Sequence, residues 1–267
     1  MRIASLAALA LCAAALAAPA RAGDEPDAAQ LAALARQRNF GTTAVEVWKS
    51  DWQGQELSYG VARRWVSGKA EVFVRVFEPH KYEPLAFLIR EREDGAPGIE
   101  YFRSPKLFGV DRRTGRTLDV VLASPIERLP FAPGLPALAD LWPQRASDFA
   151  LARLADRASD GRPCRVLEER LRAGAGDYDR VLTFLARDSG LALETQYLRG
   201  EHLVRRVTVS AGDVEGAGES AVIRRRTIER PGEADQVVTL LNFNLDPVLP
   251  DQLFTSSNLR AGRFPSY

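Results

Sequence analysis

The sequence predicts a mainly β protein with some helix (α+β), in which a single curved antiparallel sheet or incomplete β-barrel is covered by short helices. Three observations lead to this fold class. Apolar and polar residues alternate with period two from Thr43 onward, which is typical of half-buried strands. Tight turns separate about a dozen such runs, and only two short stretches have helical spacing. We find no linker and no repeat, so one domain is expected.

The N-terminal residues have the features of an export signal. Arg2 supplies a basic start, Ile3 to Ala18 is an apolar run, and Ala20-Arg21-Ala22 fits the small-x-small pattern of a cleavage site. We therefore expect a signal peptide at 1–22, a single domain at 23–267 and a periplasmic location.

Lipidation of Cys12 is an alternative interpretation of the same segment. Leu11 stands where such sites have a small residue, and the apolar run continues well past the cysteine, so we favour cleavage without lipidation. No later stretch approaches the 18 or so uninterrupted apolar residues of a membrane-spanning helix.

Charge and cysteine content narrow the class of protein. The whole chain has 36 basic and 35 acidic residues, and loss of Arg2 and Arg21 would leave 34 against 35. Nucleic acid is therefore not expected as a partner, because phosphate binding needs a concentrated basic surface. Cleavage would also leave Cys164 as the single cysteine, so stability must come from an apolar core and not from a disulfide.

The first half of the chain begins with one helix and continues with strands. Ala28 to Arg38 has apolar residues at helical spacing. Thr43 to Val47, Tyr59 to Trp65 and Val72 to Phe77 alternate as strands, and Ser67-Gly68-Lys69 is expected to form a hairpin turn.

The middle of the chain contains a strand that we expect to be buried on both faces. Leu85 to Ile89 is apolar at every position, which an antiparallel strand shows only when something packs on each side. Shorter strands are expected near Ile99 to Phe102, Leu107 to Val110 and Leu118 to Leu122. Ser124 to Arg145 carries five prolines among Leu, Phe and Trp residues, which predicts an apolar loop.

The last third has the most regular pattern. Turns at Asp188-Ser189-Gly190, Arg199-Gly200-Glu201 and Pro231-Gly232-Glu233 separate runs of alternating residues. The expected strands are Pro163 to Arg172, Tyr178 to Ala186, Leu191 to Leu198, His202 to Ser210, Glu219 to Ile228 and Gln236 to Leu245.

The sequence shows no catalytic or metal-binding pattern. The histidines are His80 and His202, and no zinc, haem, nucleophile-elbow or phosphate-loop motif is present. Glu168 and Glu169 are strand neighbours and should point to opposite faces, so they cannot act as a carboxylate pair. We therefore expect no enzyme activity, no metal and no cofactor.

Two further features have structural interpretations. Arg224-Arg225-Arg226 alternates across a strand, and we interpret it as the protection of a sheet edge against unwanted pairing. Cys164 is expected to be buried as a small apolar residue and not to react.

Three segments carry a family resemblance. They are Ala146-Ser147-Asp148-Phe149, then Asp160-Gly161-Arg162-Pro163-Cys164-Arg165-Val166-Leu167-Glu168, and finally Phe254-Thr255-Ser256-Ser257-Asn258-Leu259. This combination resembles the LolA-like family of outer-membrane lipoprotein-sorting proteins. Asp148 is expected to cap a helix beginning at Phe149, because its carboxylate can accept hydrogen bonds from the free backbone N–H groups of the first turn. The resemblance implies that this helix covers the open side of the curved sheet, with Phe149, Leu151 and Leu154 in the roof of a cavity.

The resemblance also implies a function. We expect a monomeric carrier or chaperone that binds the acyl chains of a lipid or lipoprotein in an apolar cavity, with a possible inner-membrane transporter or outer-membrane acceptor as partner. The candidate residues lining the cavity are the large apolar ones of the predicted strands and covering segments: Trp48, Phe73, Phe77, Phe87, Leu88, Trp142 and Phe149.

Two other functions stay open at this stage. Related folds form the sensing domain of an envelope-stress regulator or an accessory to a transporter, although such a regulator normally has a second domain and this chain ends soon after Leu259. A hydrolase is the second alternative, for which the sequence offers no nucleophile and base pair.

Overall fold

The computed structural model describes residues 25–80, 85–103, 117–172 and 177–265. Two predictions lie outside the described residues: the signal peptide at 1–22 and the strand near Leu107 to Val110.

The first half of the chain folds into one helix and a run of hairpins. Helix α1 spans Ala28–Phe40, as the sequence predicts. Gln53-Gly54 and Ser67-Gly68 join the first three strands, and both residues of each turn have positive φ, which matches the right-handed twist of the flanking strands. The strands are β1 Ala44–Trp52, β2 Gln55–Val66, β3 Lys69–Glu78, β4 Leu85–Glu91, β5 Pro97–Arg103 and β6 Thr117–Val120.

The second half of the chain also forms hairpins, beginning with the strand at the far edge of the sheet and ending with the strand beside β1. Asp160-Gly161, at the start of the family motif, forms the positive-φ turn of the first hairpin. The strands are β7 Phe149–Ser159, β8 Arg162–Leu171, β9 Arg180–Ala186, β10 Ala192–Arg199, β11 His202–Thr208, β12 Val214–Glu215, β13 Val222–Ile223, β14 Arg225–Glu229 and β15 Gln236–Leu245.

Thirteen of the described strands form one antiparallel sheet. Its order is β6-β5-β4-β3-β2-β1-β15-β14-β11-β10-β9-β8-β7, and β12 with β13 forms a separate small ribbon. The pairing of β1 with β15, from Ala44 opposite Leu245 to Trp52 opposite Gln236, joins the two halves. The sheet is large, curved and unclosed, as the sequence predicts.

The two faces of the sheet carry separate cores. Val74 and Phe87 lie on the face that we call the inner face, whereas Phe73 and Leu88 lie on the outer face. Every residue from Leu85 to Ile89 is buried. The prediction that this strand is covered on both sides is therefore confirmed.

The proline-rich segment covers the inner face. Leu129, Leu135 and Trp142 pack into the inner core beside strands β1 to β5. The segment contains a short helix, α2, at Leu138–Leu141. The proline-rich segment is therefore part of the inner core and not a solvent-exposed connection.

The C-terminal family motif covers the outer face. Phe254 and Leu259 are buried there, and the Thr255 side chain caps helix α3, Ser256–Ala261, by accepting a hydrogen bond from Asn258 N at 3.1 Å. A Cβ added at Gly60 of β2 would lie 2.4 Å from the Phe264 ring. The glycine thus allows the C-terminal segment to approach the sheet closely.

The predicted helix beginning at Phe149 is wrong. A single 3-10 turn at Ala146–Asp148 precedes strand β7, which begins at Phe149. Phe149 opposite Leu171 and Leu154 opposite Val166 belong to the ladder between β7 and β8. The period-two pattern of this segment and the ladder it completes outweigh the local helix-start signal, so Asp148 does not cap a helix.

The interpretation of Arg224-Arg225-Arg226 as edge protection is also wrong. Strand β14 lies inside the sheet, paired with β11 on one side and β15 on the other. The exposed Arg225 and the half-buried Arg226 face opposite sides. The edges of the described sheet are β6 and β7.

Cys164 is buried on the outer face of β8 with Val166 and Phe184. Burial raises the pKa of its thiol, so the expected role as a small buried residue is confirmed. None of the helices in the described part of the chain has both the length and the apolar character needed to cross a bilayer.

Replacement of the outer-face anchor tests the role of the C-terminal segment. Phe254→Ala should lower the free energy of unfolding by about 3–5 kcal/mol, because it leaves a cavity in a core that the segment alone covers. Val248→Ala is the control, since Val248 is fully exposed and should change stability by less than about 0.5 kcal/mol. Urea denaturation measures both, and equal effects would contradict this account of the outer face.

Candidate functional site

The main cavity lies between helix α1 and the inner face of the sheet. Its volume is about 690 Å³. Strands from both halves of the sheet line it, together with α2 and the segment around Ser220. Its apolar wall includes Trp48, Trp142, Val181, Val207, Val209 and Leu240.

Helix α1 rests on the sheet through a small apolar surface. Asp27 and Gln30 form a capping box that fixes the start of the helix. Leu31, Ala32 and Ala35 are buried against Leu167 and Leu185. Because two of the three buried helical residues are alanines, the helix buries little side-chain area for its length.

Polar contacts hold the C-terminal half of α1. Arg36 pairs with Glu169 of β8 at 2.8 Å and also donates to the carbonyl oxygen of Gln144 at 2.9 Å. Arg38 donates to the carbonyl oxygens of Glu219 and Ala221 at 2.6 and 3.0 Å. The helix is therefore attached to the sheet and to two loops by charged side chains.

Glu168 and Glu169 lie on opposite faces of β8, as predicted. Glu169 faces α1, and burial raises its pKa although Arg36 acts in the opposite direction. Glu168 pairs with Arg170 at 2.9 Å and with Arg180 at 3.6 Å. These two carboxylates form separate ion pairs and not a catalytic dyad.

A buried ion pair lies beside the cavity. Asp140 of α2 accepts hydrogen bonds from Arg205 Nη2 at 2.6 and 2.7 Å, and from Ala137 N at 2.9 Å. Arg205 of β11 is fully buried. Burial raises the pKa of Asp140, but the charges of Arg205 and Arg226 more than offset this, so the pKa lies below its ordinary value. The pair anchors the proline-rich segment to the sheet.

Arg226 lies in the cavity wall next to an aromatic residue. Its guanidinium carbon is 4.8 Å from the centre of the Trp48 ring, within the range of a cation–π interaction. Arg63, which also lines the cavity, pairs with Glu46 at 3.1 Å, and Glu46 also accepts from Trp48 Nε1 at 3.1 Å. The cavity thus has an apolar wall and a charged wall, whereas the sequence led us to expect an apolar cavity.

Solved structures resemble this arrangement over most of the chain. A putative outer membrane lipoprotein-sorting protein domain from Vibrio parahaemolyticus has a TM-score of 0.68 and 13% identity, with 86% of this chain and 97% of that chain covered. A DUF1329 family protein from Desulfovibrio piger has a TM-score of 0.67 and 15% identity, with coverage of 88% and 100%.

A LolA superfamily protein from Nitrosomonas europaea has a TM-score of 0.61 and 16% identity, with 87% of this chain and 99% of that chain covered. The chain has a LolA-like fold. The resemblance based on sequence motifs is thereby confirmed for the fold. Neither the family models nor the curated proteins compared with the sequence give a match.

The LolA-like fold separates the predicted lining residues into groups. Trp48 and Trp142 line the main cavity, and Phe87 lies on the same face within the core. Phe149 and Trp142 line a second cavity of about 190 Å³ near Tyr178.

The other three predicted lining residues lie across the sheet from the main cavity. Phe73 and Leu88 belong to the outer core, and Phe77 stacks edge-on against Phe264. A role for these seven residues in ligand binding stays a prediction.

The sequence analysis did not identify the charged residues of the LolA-like cavity. Asp140 lies within a segment that the sequence marks only as apolar and proline-rich. Arg205 and Val207 lie two residues apart on one face of β11. An arginine at an inward position of an alternating strand was the available signal, since such a residue must be paired or must face a cavity.

Removal of the buried carboxylate tests the charged wall. Asp140→Asn should destabilise the protein by about 3–5 kcal/mol, because it leaves Arg205 buried without a counter-ion. The matched control is Glu201→Gln, which removes the exposed partner of Arg180 and should cost less than about 1 kcal/mol. Urea unfolding at neutral pH compares the two variants, and a cost for Asp140→Asn no larger than for the control would refute the assignment.

The same pair predicts a pH dependence. Because the pKa of Asp140 is lowered in the folded state, its contribution to stability is present above the unfolded pKa of about 3.9 and is lost as the pH falls through the folded value. The difference in unfolding free energy between wild type and Asp140→Asn should therefore narrow below about pH 4. A difference that stays constant between neutral pH and pH 3 would contradict this.

Proposed function

We propose that this protein is a periplasmic carrier or chaperone that encloses the acyl chain of a lipid or lipoprotein in the cavity beneath α1. The single observation that supports this most strongly is the cavity of about 690 Å³ on the inner face of the curved sheet. Its volume falls within the roughly 300–1,000 Å³ typical of small-molecule sites. In this proposal, residues 1–22 are a cleaved export signal and residues 23–267 form one domain.

The apolar wall supplies the binding free energy. Trp48, Trp142, Val207 and Leu240 present aromatic and aliphatic surface to the cavity. Burial of a methylene is worth about 0.8 kcal/mol, so a chain of roughly fifteen carbons contributes on the order of 10 kcal/mol before ordering costs. No reacting group is needed, and the proposed function is not enzymatic.

Helix α1 provides the route of entry in this proposal. Leu31 is its largest fully buried residue, and burial of a leucine is worth about 1.5–3 kcal/mol. Displacement of α1 would therefore cost only a few kcal/mol of apolar burial, together with the Arg36 and Arg38 contacts. A transporter in the inner membrane or an acceptor in the outer membrane would exchange the cargo at this opening.

The similarity to a lipoprotein-sorting domain supports a cargo of this class. The likeness establishes the fold, and the function of the relative is transferred here only as a proposal. We expect the carrier to act as a monomer.

Co-purifying lipid provides the first test. Organic extracts of the full chain, purified from a periplasmic fraction, should contain stoichiometric acyl lipid by mass spectrometry. Thr195→Trp should abolish the co-purification of lipid, because Thr195 lies on the cavity wall and the indole would occupy the space of the ligand.

The control variant is Gln196→Trp, which lies on the same strand but faces the other side. It should retain lipid at the wild-type level. Absence of lipid from the wild type, together with failure of the purified protein to bind added lipid, would rule out the proposed function. Equal lipid content in both tryptophan variants would show that the lipid is not in this cavity.

A further inference from the structure

Three arginines lie near α2 on the inner side of the sheet. Arg205, Arg226 and Arg230 come from neighbouring strands or from the end of one, and the carboxylate of Asp140 lies among them. Asp140 is paired with Arg205 and also accepts from Ala137 N. Arg230 donates to the neutral carbonyl oxygen of Ile126 at 2.9 Å.

The pKa of Arg230 reflects this crowding. It is lowered to about 10 by burial and by the charges of Arg205 and Arg128. Three arginines therefore share the vicinity of one carboxylate, that of Asp140.

Arg226 is the member of this group that lines the cavity. No carboxylate of the described residues forms an ion pair with it, and its Nε is buried without a hydrogen-bond acceptor. A buried donor of this kind is costly when it stays unsatisfied.

The Arg226 guanidinium lies over the ring of Trp48, which also lines the cavity. Tyr59 of β2 is opposite Trp48 of β1 in the strand register and contacts Arg226 from within the core. A ligand in the cavity therefore meets the guanidinium of Arg226 and the ring of Trp48.

We infer that the cavity binds an amphiphile whose anionic head group is held by Arg226, with its hydrocarbon chain against Trp48, Val207 and Leu240. This inference rests on the proposed function and adds the chemical class of the cargo. A carboxylate or a phosphate oxygen pair fits a guanidinium fork and satisfies the unpaired donor. Burial beside aromatic surface strengthens the contact, because the local dielectric is low.

The test compares amphiphiles that share one acyl chain and differ in the head group. Palmitate carries a carboxylate, 1-palmitoyl lysophosphatidate carries a phosphate, and monopalmitoylglycerol is uncharged. Delipidated full-length protein is equilibrated by dialysis with each at low salt and neutral pH, and bound lipid is quantified by mass spectrometry. We expect at least one anion to bind about tenfold or more tightly than the uncharged lipid, since hydrogen bonds to a charged group are stronger than those between neutral groups.

Variants on one strand assign the effect to Arg226. Arg226→Gln should weaken binding of the preferred anion about 10- to 100-fold and change binding of monopalmitoylglycerol less than about threefold. Arg225→Gln is the matched control, because Arg225 is exposed on the opposite face. Arg226→Lys should restore part of the affinity by keeping the charge without the planar fork.

Each outcome has a defined meaning. Equal affinity of the wild type for charged and uncharged lipids would overturn the head-group site and leave the carrier function intact. The same holds if Arg226→Gln loses as much affinity for monopalmitoylglycerol as for the preferred anion. Binding of none of the three lipids by the wild type would overturn both. If Arg226→Gln does not fold, Arg226→Lys and the wild-type preference for anions decide the question. The preferred anion distinguishes a fatty acid from a phospholipid source.

Discussion

The pairing of the first strand with the last is the constraint on which the other features depend. Strands β1 and β15 form a long ladder between residues almost two hundred positions apart in the chain. Each half of the chain can form its hairpins locally, but only this ladder makes them one sheet. It also brings Trp48 opposite Leu240 and close to Arg226. The cavity wall is therefore assembled from both ends of the chain.

A sheet of this size must have both faces covered, and different segments of the chain cover the two faces. The outer face is covered by Phe254, Leu259 and the segment around them, which forms a dense apolar contact. The inner face is filled in one half by the proline-rich segment and covered in the other half by α1. Because α1 contributes mostly alanine and polar contacts, the space beneath it is not filled by side chains. The cavity is present because α1 packs less densely on the inner face than the C-terminal segment does on the outer face.

The charged wall changes the chemical character expected of that cavity. A buried pair such as Asp140 with Arg205 contributes little net stability, but loss of one partner is costly. The pair thus holds the proline-rich segment in one position relative to the sheet. Arg226 has no such partner among the described residues, and this difference separates a structural arginine from one that can meet a ligand. In the proposed carrier, hydrocarbon burial would supply the affinity and the Arg226 guanidinium would orient the cargo.

The sequence by itself determined most of the strands, the helix near Ala28, the two-sided burial of Leu85 to Ile89 and the fold class, because these depend on local periodicity and turn chemistry. The family motifs indicated the LolA-like fold for a physical reason: Asp160-Gly161 forms a turn, and Phe254, Thr255 and Leu259 anchor and cap the C-terminal segment.

Only the tertiary structure decided which large residues share a cavity. Phe73 and Phe87 look alike in the sequence, yet they lie on opposite faces because register, and not residue type, sets the direction of a side chain. Phe149 begins a strand because the ladder with β8 outweighs a local helix signal. Arg226 faces the cavity and forms no ion pair with a carboxylate of the described residues. Its surroundings come from residues distant in the sequence, and the local pattern has no information about them.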